Sequence, residues 1–311
     1  MKFSDKVLAE AKFPSVLDSS ILLTTACPTK FFYKHCFHLA PSQKSIHLHA
    51  GGAFAQAMQT VREKFYRDDA GLDRALLEGM REFIKYWGEY DAPSGSYKDF
   101  CNVLAAVFDY FQTYNPETDH IQPFRKADGS PAVEFTFSIP LPIMHPDTGE
   151  PLIYAGRCDM VGQLTQQSNL LAIVDEKTTY SFNADWSRVF AMRGQFLGYT
   201  WAAQQYEMPV NLCVVRGIAI QQRAIKHLEA IFSYPQWQVD RWYMEMLQKV
   251  QFLVTCWKLK EFPMNYGDIC GSYGGCEMMD LCTSEHPENW FDTFARFEWN
   301  PLHKGIVHGT D

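Results

Sequence analysis

The chain has 311 residues, of which 47% are hydrophobic and 15% aromatic, and this composition excludes an intrinsically disordered protein. Its formal net charge of −8 argues against indiscriminate binding of nucleic acid, because neutralising phosphates needs lysine and arginine, but it leaves room for a local basic groove. No signal peptide opens the sequence and no apolar run is long enough to cross a membrane, so we expect a cytoplasmic protein without membrane contact.

Residues 1–125 are predicted to be mainly helical. Apolar residues recur at helical spacing in three segments of this region, and Asn115-Pro116 closes the third segment. The apolar stripes consist of Phe54, Met58, Val61 and Phe65 in the first segment, Leu76, Met80, Phe83 and Trp87 in the second, and Phe100, Val103, Leu104, Val107, Phe108 and Phe111 in the third. We therefore expect three amphipathic helices in the N-terminal region.

The apolar pattern changes to a period of two near residue 130. Val133, Phe135, Phe137 and Ile139 alternate with polar residues, which predicts a half-buried strand. The turn HPDTGEP leads to a second strand, LIYAGRCDMVGQL, and the loop TQQSN leads to a third, LLAIVDEKTT. The first two strands are expected to form a hairpin.

Helices and one more strand complete the predicted order. A helix from about Trp186 to Tyr206 is followed by a strand, NLCVVRGIAI, and by a long amphipathic helix from about Gln236 to Leu259. Such an order indicates an α/β sandwich around a mixed sheet. Because no linker separates two domains, we expect one domain over residues 1–311, whose last part, residues 226–311, holds the long helix and a cysteine-rich segment.

Three charged residues end the third predicted strand. Because successive side chains of a strand point to opposite faces, Asp175 and Lys177 share one side and Glu176 points to the other. Asp159 ends the preceding strand, and a hairpin return would bring it next to Asp175. Two carboxylates and a backbone carbonyl suit Mg²⁺ or Mn²⁺, and a nearby lysine can orient water and stabilise phosphate charge. The alternative is two ordinary strand ends with solvated charges, since Asp-x-Lys triplets are common.

The helix predicted after this strand carries Gln195 and Tyr199 on one face, because they are four residues apart, while Phe196 and Leu197 point elsewhere. In chain order, Gly-x-x-Asp, an apolar strand ending in Asp-x-Lys, and Gln-x-x-x-Tyr resemble the PD-(D/E)XK nuclease superfamily. The likeness is greatest to its RecB-type branch and to related phage exonucleases. The resemblance implies a restriction-endonuclease-like α/β fold, with a mixed β-sheet core flanked by helices and a catalytic core at residues 130–225.

The same resemblance implies roles for the residues of these motifs. Asp159 and Asp175 would be ligands of Mg²⁺ or Mn²⁺, and Lys177 would be the catalytic lysine. Gln195 and Tyr199 would help to position the site or the DNA strand.

Two further carboxylates are candidate ligands of the same ion. Glu176 adjoins the predicted ligands, and Glu134 stands among apolar neighbours in the first predicted strand. Glu134 would be a ligand, a support for the ligands or a plain solvent-facing residue. One departure from the RecB pattern concerns the early helix GGAFAQAM, which has Ala55 where these nucleases often have a metal-binding histidine. The spacing of His47 and His49 does not replace that histidine, so the resemblance implies a modified site.

Arginines near the motifs are candidates for DNA contacts. We expect Arg193 and Arg216 to bind phosphates, because the guanidinium group matches the geometry of a phosphate. Aromatic residues interleaved with them could stack on unpaired bases, although most belong to a helix that must bury them.

Four cysteines form a second signature. Cys270, Cys276 and Cys282 follow at intervals of six residues in a glycine-rich segment, and Cys27 lies near the N-terminus. Such cysteines can hold a metal with one distant ligand, whereas the other cysteines are expected to be buried thiols. The arrangement is similar to the iron–sulfur subgroup of RecB-type nucleases, which implies a [4Fe–4S] cluster on these four residues. Four thiolates equally suit tetrahedral Zn²⁺, so the residue chemistry alone leaves the metal open.

The sequence thus predicts a metal-dependent deoxyribonuclease, in the first place an exonuclease acting on single-stranded or duplex DNA ends. Its process would be recombination, repair or phage DNA processing, with a recombination or replication protein as a candidate partner; a phage-encoded chain would act in the host cytoplasm. The alternative, which the missing histidine and the acidic charge favour slightly, is a catalytically inactive protein of this fold that binds DNA or a protein partner. A zinc-stapled structural protein is the third hypothesis.

Overall fold

The structure of the protein, a computed structural model, describes residues 3–42, 45–271 and 275–302. The helices are α1 (Asp5–Glu10), α2 (Ser19–Leu23), α3 (Pro28–Phe31), α4 (Ile46–Arg62), α5 (Leu72–Trp87), α6 (Phe100–Thr113), α7 (Gly194–Gln205), α8 (Gln236–Leu259) and α9 (Met279–Thr283). The strands are β1 (Val16–Leu17), β2 (Leu39–Pro41), β3 (Ile121–Pro123), β4 (Val133–Met144), β5 (Pro151–Leu164), β6 (Gln167–Thr179), β7 (Leu212–Ile220), β8 (Ile225–Ser233) and β9 (Phe294–Arg296). Among the helices that the structure describes, none combines the length and apolar character that a membrane span requires.

Two compact units make up the chain, and each is assembled from segments that are separate in sequence. The first unit comprises Met1–Gln43, Phe137–Gly156 and Arg241–Asp311, and the second comprises Lys44–Thr136 and Arg157–Asp240. Strands β4 and β5 and helix α8 contribute residues to both units. The single nuclease domain expected from the sequence stays a prediction.

The second unit contains a mixed sheet. Strand β6 pairs in antiparallel with β5 and in parallel with β7, and β7 pairs in antiparallel with β8. The parallel ladder runs from Ala172 opposite Leu212 to Thr179 opposite Ala219. Strand β3 adds an antiparallel pairing to β5. This arrangement confirms the predicted α/β class with a mixed sheet flanked by helices.

Helices α4, α5 and α6 pack together in the second unit, and they are the three amphipathic helices that the sequence predicts. Their buried faces form one hydrophobic cluster with Ile218 and Ile220 of β7. Gly79 of α5 lies against α4, where a Cβ atom would come within 2.5 Å of Val61 Cγ2. This close approach of two helices therefore depends on a residue without a side chain.

The first unit holds helices α1, α2, α3 and α9 and two strand pairings. Strand β1 pairs in parallel with β5, with Val16 opposite Ile153, and β2 pairs in antiparallel with β9. Aromatic side chains fill part of its interior: Phe32 stacks on Phe37 and also packs against Phe262. The side chain of Thr29 donates to the Phe262 carbonyl at 2.8 Å, which ties two distant segments of this unit together.

Two elements differ from the sequence prediction. Strand β8 was not expected, because this strand has only one fully buried residue and its apolar residues do not alternate regularly. The helix predicted from Trp186 to Tyr206 begins only at Gly194, after a separate 3₁₀ turn, Arg188–Phe190. The break occurs at Arg193, whose backbone is extended rather than helical.

Candidate active site

Asp159 and Asp175 stand at neighbouring positions of adjacent strands. The antiparallel ladder of β5 and β6 runs to Met160 opposite Val174, so the next residues on the two strands are Asp159 and Asp175. The backbone N–H of Glu176 donates to Asp159 Oδ2 at 2.9 Å and thereby holds this carboxylate against β6. The hairpin brings together the two carboxylates that the sequence predicts as neighbours.

Both carboxyl groups resist ionisation where they lie. Burial, followed by the charges of Asp175 and Glu176, raises the pKa of Asp159 well above its ordinary value. Burial also raises the pKa of Asp175, although the Lys177 amine acts in the opposite direction. A divalent cation between these oxygens would favour their ionised forms, and carboxylate oxygens are the ligands that Mg²⁺ and Mn²⁺ prefer.

The donor chemistry at this position therefore fits a hard divalent cation. Within the described residues, however, no group of three or more histidine, cysteine, aspartate or glutamate side chains is arranged to hold a metal ion. A divalent cation would fit this position because the two aspartates supply its oxygen ligands and because its charge would relieve the repulsion between them.

Lys177 lies on the same side of β6 as Asp175 and forms an ion pair with Asp175 Oδ2. Burial by itself would lower the pKa of the Lys177 amine, but the charges of Asp175 and Asp159 raise it, so the amine keeps its proton. The amine also lies 5.7 Å from the centre of the Phe196 ring. Phe196, which the sequence predicts to point elsewhere, therefore packs beside the lysine.

Helix α7 brings a tyrosine next to the carboxylates. Gln195 Nε2 donates to the Tyr199 hydroxyl at 3.0 Å, so the two side chains share one face of the helix. Tyr199 is buried, and burial followed by the charge of Asp175 raises its pKa well above its ordinary value. The hydroxyl therefore stays protonated. The catalytic roles of both residues stay predictions.

Glu176 points to the opposite side of β6. Arg62 Nη2 forms an ion pair with Glu176 Oε2, and the Tyr110 hydroxyl donates to Oε1 at 2.6 Å. Although burial alone would raise the pKa of Glu176, the Arg62 guanidinium lowers it to about 2. The role of Glu176 as a metal ligand stays a prediction; the alternation of β6 turns its side chain away from Asp175, and both of its oxygens are engaged.

Glu134 is buried rather than solvent-facing. Its backbone has a positive φ of 49°, which is uncommon outside glycine, and Val133, Glu134 and Phe135 are all buried in succession. Arg62 Nη1 donates to Glu134 Oε1 at 3.1 Å, and Arg157 Nε lies 3.4 Å from Oε2. The role of Glu134 as a metal ligand likewise stays a prediction, and two arginines pair with its carboxylate.

The two arginines predicted to bind DNA have opposite environments. Arg216 is 1% exposed, and its guanidinium donates to Asp119 at 2.6 and 2.8 Å and to Glu229 at 3.0 Å. The phosphate contact of Arg216 stays a prediction, and its side chain is enclosed and engaged by two carboxylates. Arg193 is exposed immediately before α7, close enough for its charge to act on the pKa of Lys177. Arg193 stays a candidate for DNA contact.

Sequence analysis missed Arg62 and Tyr110, the two residues that hold Glu176. Both belong to apolar helix faces: Arg62 lies one turn after Met58 on α4, and Tyr110 lies one turn after Val107 on α6. A charged residue within an apolar stripe is a usable signal, because a buried charge needs an opposite charge beside it.

The histidine upstream of the early-helix motif has a structural environment. His49 is buried in α4, with Nε2 3.2 Å from the Trp87 carbonyl oxygen and its ring stacked on Tyr90 at 3.9 Å. Ala55, the position where a histidine would be expected, is exposed.

The first unit brings the four predicted cysteines close together. Cys27 precedes α3, the N–H of Cys276 donates to the carbonyl of Cys270 at 2.8 Å, and Cys282 lies in α9. All four are half-buried free thiols. Burial, followed by the charges of Cys27, Cys276 and Cys270, raises the pKa of Cys282 to about 11. Thiols are suitable donors for zinc or an iron–sulfur cluster, but these four are not arranged to hold a metal ion among the described residues, and the cluster stays a prediction.

One family model and two solved structures are similar to the chain. A family model described as the PD-(D/E)XK nuclease superfamily matches residues 19–283. A solved structure from Eubacterium rectale, described as a "Putative exonuclease", is similar with 10% identity and a TM-score of 0.47, over 91% of this chain and 99% of that one. The crystal structure of SSO0001 is similar with 11% identity and a TM-score of 0.32, over 78% of this chain and 81% of that one. None of the curated proteins compared with the chain matches it.

Proposed function

The chain belongs to the PD-(D/E)XK nuclease superfamily, and we propose that it is a Mg²⁺- or Mn²⁺-dependent deoxyribonuclease that hydrolyses phosphodiester bonds. One observation carries the proposal. Asp159 and Asp175 occupy adjacent positions of paired strands, and Lys177 is ion-paired to Asp175 on the same side. The residues that carry the sequence resemblance are therefore also neighbours in space.

Two aspartates would hold the divalent cation of the reaction. When bound, such an ion polarises the scissile phosphate and lowers the pKa of an attacking water. Asp159 is oriented for this task by the N–H of Glu176, and Asp175 by its buried position on β6. Because both carboxylates are costly to ionise without a cation, they gain most from binding one.

Lys177 would act on the water or on the phosphate. Its amine keeps a proton beside Asp175, and it can neutralise the negative charge that develops on the phosphate during attack. Tyr199 and Gln195, linked by their hydrogen bond, would help to position the site or the DNA strand. Arg193, exposed before α7, would contact a backbone phosphate.

We propose further that the substrate is a DNA end, single-stranded or duplex, and that the enzyme is an exonuclease of recombination, repair or phage DNA processing. The support is the likeness of the sequence motifs to RecB-type and phage exonucleases. A recombination or replication protein is the candidate partner for such an activity.

We also propose that Cys27, Cys270, Cys276 and Cys282 hold a [4Fe–4S] cluster, with Zn²⁺ as the alternative. The support is the likeness of the cysteine pattern to the iron–sulfur subgroup of RecB-type nucleases, together with the hydrogen bond from the N–H of Cys276 to the carbonyl of Cys270 at 2.8 Å. Such a site would be structural and would join residue 27 to the C-terminal segment. Anaerobically purified protein should be brown, and Cys276→Ala should lose both colour and stability; colourless protein with stoichiometric zinc would select the alternative.

The activity is tested with end-labelled single-stranded and duplex DNA in Mg²⁺ or Mn²⁺, with a chelator control and with covalently closed circular DNA. We expect cleavage of linear DNA that stops with chelator and with Lys177→Ala. Cleavage of closed circular DNA, which has no ends, would show that the enzyme is not purely an exonuclease. DNA binding without cleavage under all conditions would instead support the inactive DNA-binding alternative.

A further inference from the structure

Four carboxylates converge near the end of β6, and only two of them are available to a metal. Glu134 and Glu176 lie on either side of the Arg62 guanidinium, which is almost fully enclosed, with 5% of its side chain exposed. Arg62 Nη1 meets Glu134 at 3.1 Å, and Nη2 meets Glu176. Asp159 lies beside this cluster, because its Oδ2 accepts from the backbone N–H of Glu176 at 2.9 Å.

All four side-chain oxygens of Glu134 and Glu176 have partners. Arg62 takes one oxygen of each, Arg157 Nε lies 3.4 Å from the second oxygen of Glu134, and the Tyr110 hydroxyl donates to the second oxygen of Glu176 at 2.6 Å. A metal ion bound to either glutamate would have to displace a buried guanidinium whose own charge would then lack a partner. Removal of one partner from a buried ion pair is strongly unfavourable.

The local charges also match a single divalent cation. The four carboxylates carry one more charge than Arg62, Arg157 and Lys177 together, and one divalent ion therefore more than neutralises the cluster. A second ion would add two positive charges next to a guanidinium that cannot lose its proton. Nucleases with two metal ions hold them about 3.5–4 Å apart, bridged by shared carboxylates, and here the carboxylates needed for the second ion surround Arg62.

We propose that the Arg62 guanidinium takes the place of a second divalent cation, so that the active site binds one metal ion, through Asp159 and Asp175. This inference takes the divalent cation from the proposed nuclease function. It predicts how many ions bind and makes no claim about the cleavage reaction. Arg62 is accordingly a positioning residue: it fixes Glu176, whose N–H orients Asp159, and it supplies a permanent charge behind the ligands.

The number of ions is measured directly by titrating Mn²⁺ into the full chain and following free Mn²⁺ by electron paramagnetic resonance. Ions that remain bound in Asp175→Asn are subtracted as binding outside the site. The wild-type protein should bind a single ion there. Arg62→Gln, which frees two carboxylates and removes the competing charge, should bind a second ion, with an affinity raised at least roughly tenfold over wild type.

Arg81→Gln is the control, because Arg81 is an exposed arginine of α5 that pairs with Glu78 instead of Glu134 or Glu176. It should keep the wild-type number of ions. Glu134→Gln provides a test that does not depend on the folding of Arg62→Gln, since glutamine can still accept from Arg62. Its Mn²⁺ affinity should stay within about threefold of wild type, because Glu134 is not a ligand.

Two ions at the wild-type site would overturn the inference while leaving the nuclease proposal intact. A folded Arg62→Gln variant that binds only one ion, or a Glu134→Gln variant that loses Mn²⁺, would overturn it as well. If the wild-type protein binds one ion but does not cleave DNA, the proposed nuclease function is contradicted and the proposal of a single metal ion is supported. If the wild-type protein binds no Mn²⁺, both proposals are contradicted.

Discussion

Asp175 and Glu176 are neighbours on β6 with buried carboxylates, yet their environments differ in almost every respect. Glu176 forms an ion pair with Arg62 and accepts a hydrogen bond from Tyr110, and its pKa is lowered to about 2. Asp175 forms an ion pair with Lys177 and lies beside Asp159. Its pKa is raised because of its burial. One side of the strand is electrostatically satisfied, and the other is left short of positive charge.

Under the proposed function, one side of the strand anchors the fold and the other holds the reactive groups. Removing one partner from the side formed by Arg62, Tyr110 and Glu176 is expected to be strongly unfavourable, whereas burial makes the ionised forms of Asp159 and Asp175 costly, a cost that the proposed cation would relieve. Functional sites commonly retain such unfavourable groups at the expense of stability. The following predictions test this contrast, beginning with the largest effect.

Loss of the cation on the anchored side should have the largest effect on stability. Arg62→Gln leaves Glu134 and Glu176 buried with weaker partners, so the free energy of unfolding should fall by about 3–5 kcal/mol, measured by urea denaturation. Arg81→Gln, which removes an exposed arginine paired with Glu78, should change it by less than about 1 kcal/mol. Equal losses in the two variants would show that the burial of Arg62 has no special importance.

On the other side of the strand, loss of the Lys177 charge should have its largest effect on activity. Lys177→Ala should reduce the rate of DNA cleavage by about 10²–10³-fold, because it removes the charge that stabilises the phosphate during attack. Cleavage is followed with end-labelled DNA in Mn²⁺, and circular dichroism checks the fold. Lys226→Ala, an exposed lysine on β8, is the control and should keep the wild-type rate. A Lys177→Ala rate near wild type would refute its catalytic role.

The hydroxyl of Tyr110 should contribute less than Arg62 but measurably. Tyr110→Phe removes the 2.6 Å hydrogen bond to Glu176, and hydrogen bonds to charged groups are worth about 1.5–3 kcal/mol, which is the expected loss in urea denaturation. Tyr114→Phe keeps the ring that packs on Arg216 at 4.0 Å and should change stability by less than about 0.5 kcal/mol. If both variants behave alike, the bond to Glu176 is not an anchor.

Neutralising a predicted ligand should stabilise the metal-free protein slightly. The pKa of Asp159 is raised in the fold, so its ionised form opposes folding above the ordinary carboxyl pKa, and Asp159→Asn removes that cost while the amide oxygen can still accept from Glu176. The free energy of unfolding at neutral pH with chelator should rise by about 0.5–2 kcal/mol, and cleavage should be lost. The exposed Asp185→Asn should leave both unchanged. Destabilisation by Asp159→Asn would contradict this account.

The sequence predicted the parts of the site that depend on local periodicity. The alternation of side chains along β6 predicted Asp175 and Lys177 on one side and Glu176 on the other. The expected hairpin of β5 and β6 predicted that Asp159 lies next to Asp175. Helical spacing likewise predicted that Gln195 and Tyr199 share a face, and their hydrogen bond agrees.

Residues whose environment depends on distant segments could not be predicted in this way. The backbone of Glu134 has a positive φ, which interrupts the alternation of the strand. No local sequence pattern predicts this conformation. The burial of Arg216 depends on Asp119, which is far away in sequence. Arg62 gave a signal, a charge within an apolar stripe, but its partners Glu134 and Glu176 emerge only from the folded chain.

The contrast between the two sides of β6 is tested most directly by comparing the Mn²⁺-dependent cleavage rates of Asp175→Asn and Glu176→Gln on the same end-labelled DNA. The account predicts that Asp175→Asn loses at least about 10²-fold, because a metal ligand is removed, while Glu176→Gln stays within about tenfold of wild type, because its N–H still orients Asp159. Equal losses in the two variants, or a greater loss in Glu176→Gln, would contradict the division of the strand into a reactive and an anchoring side.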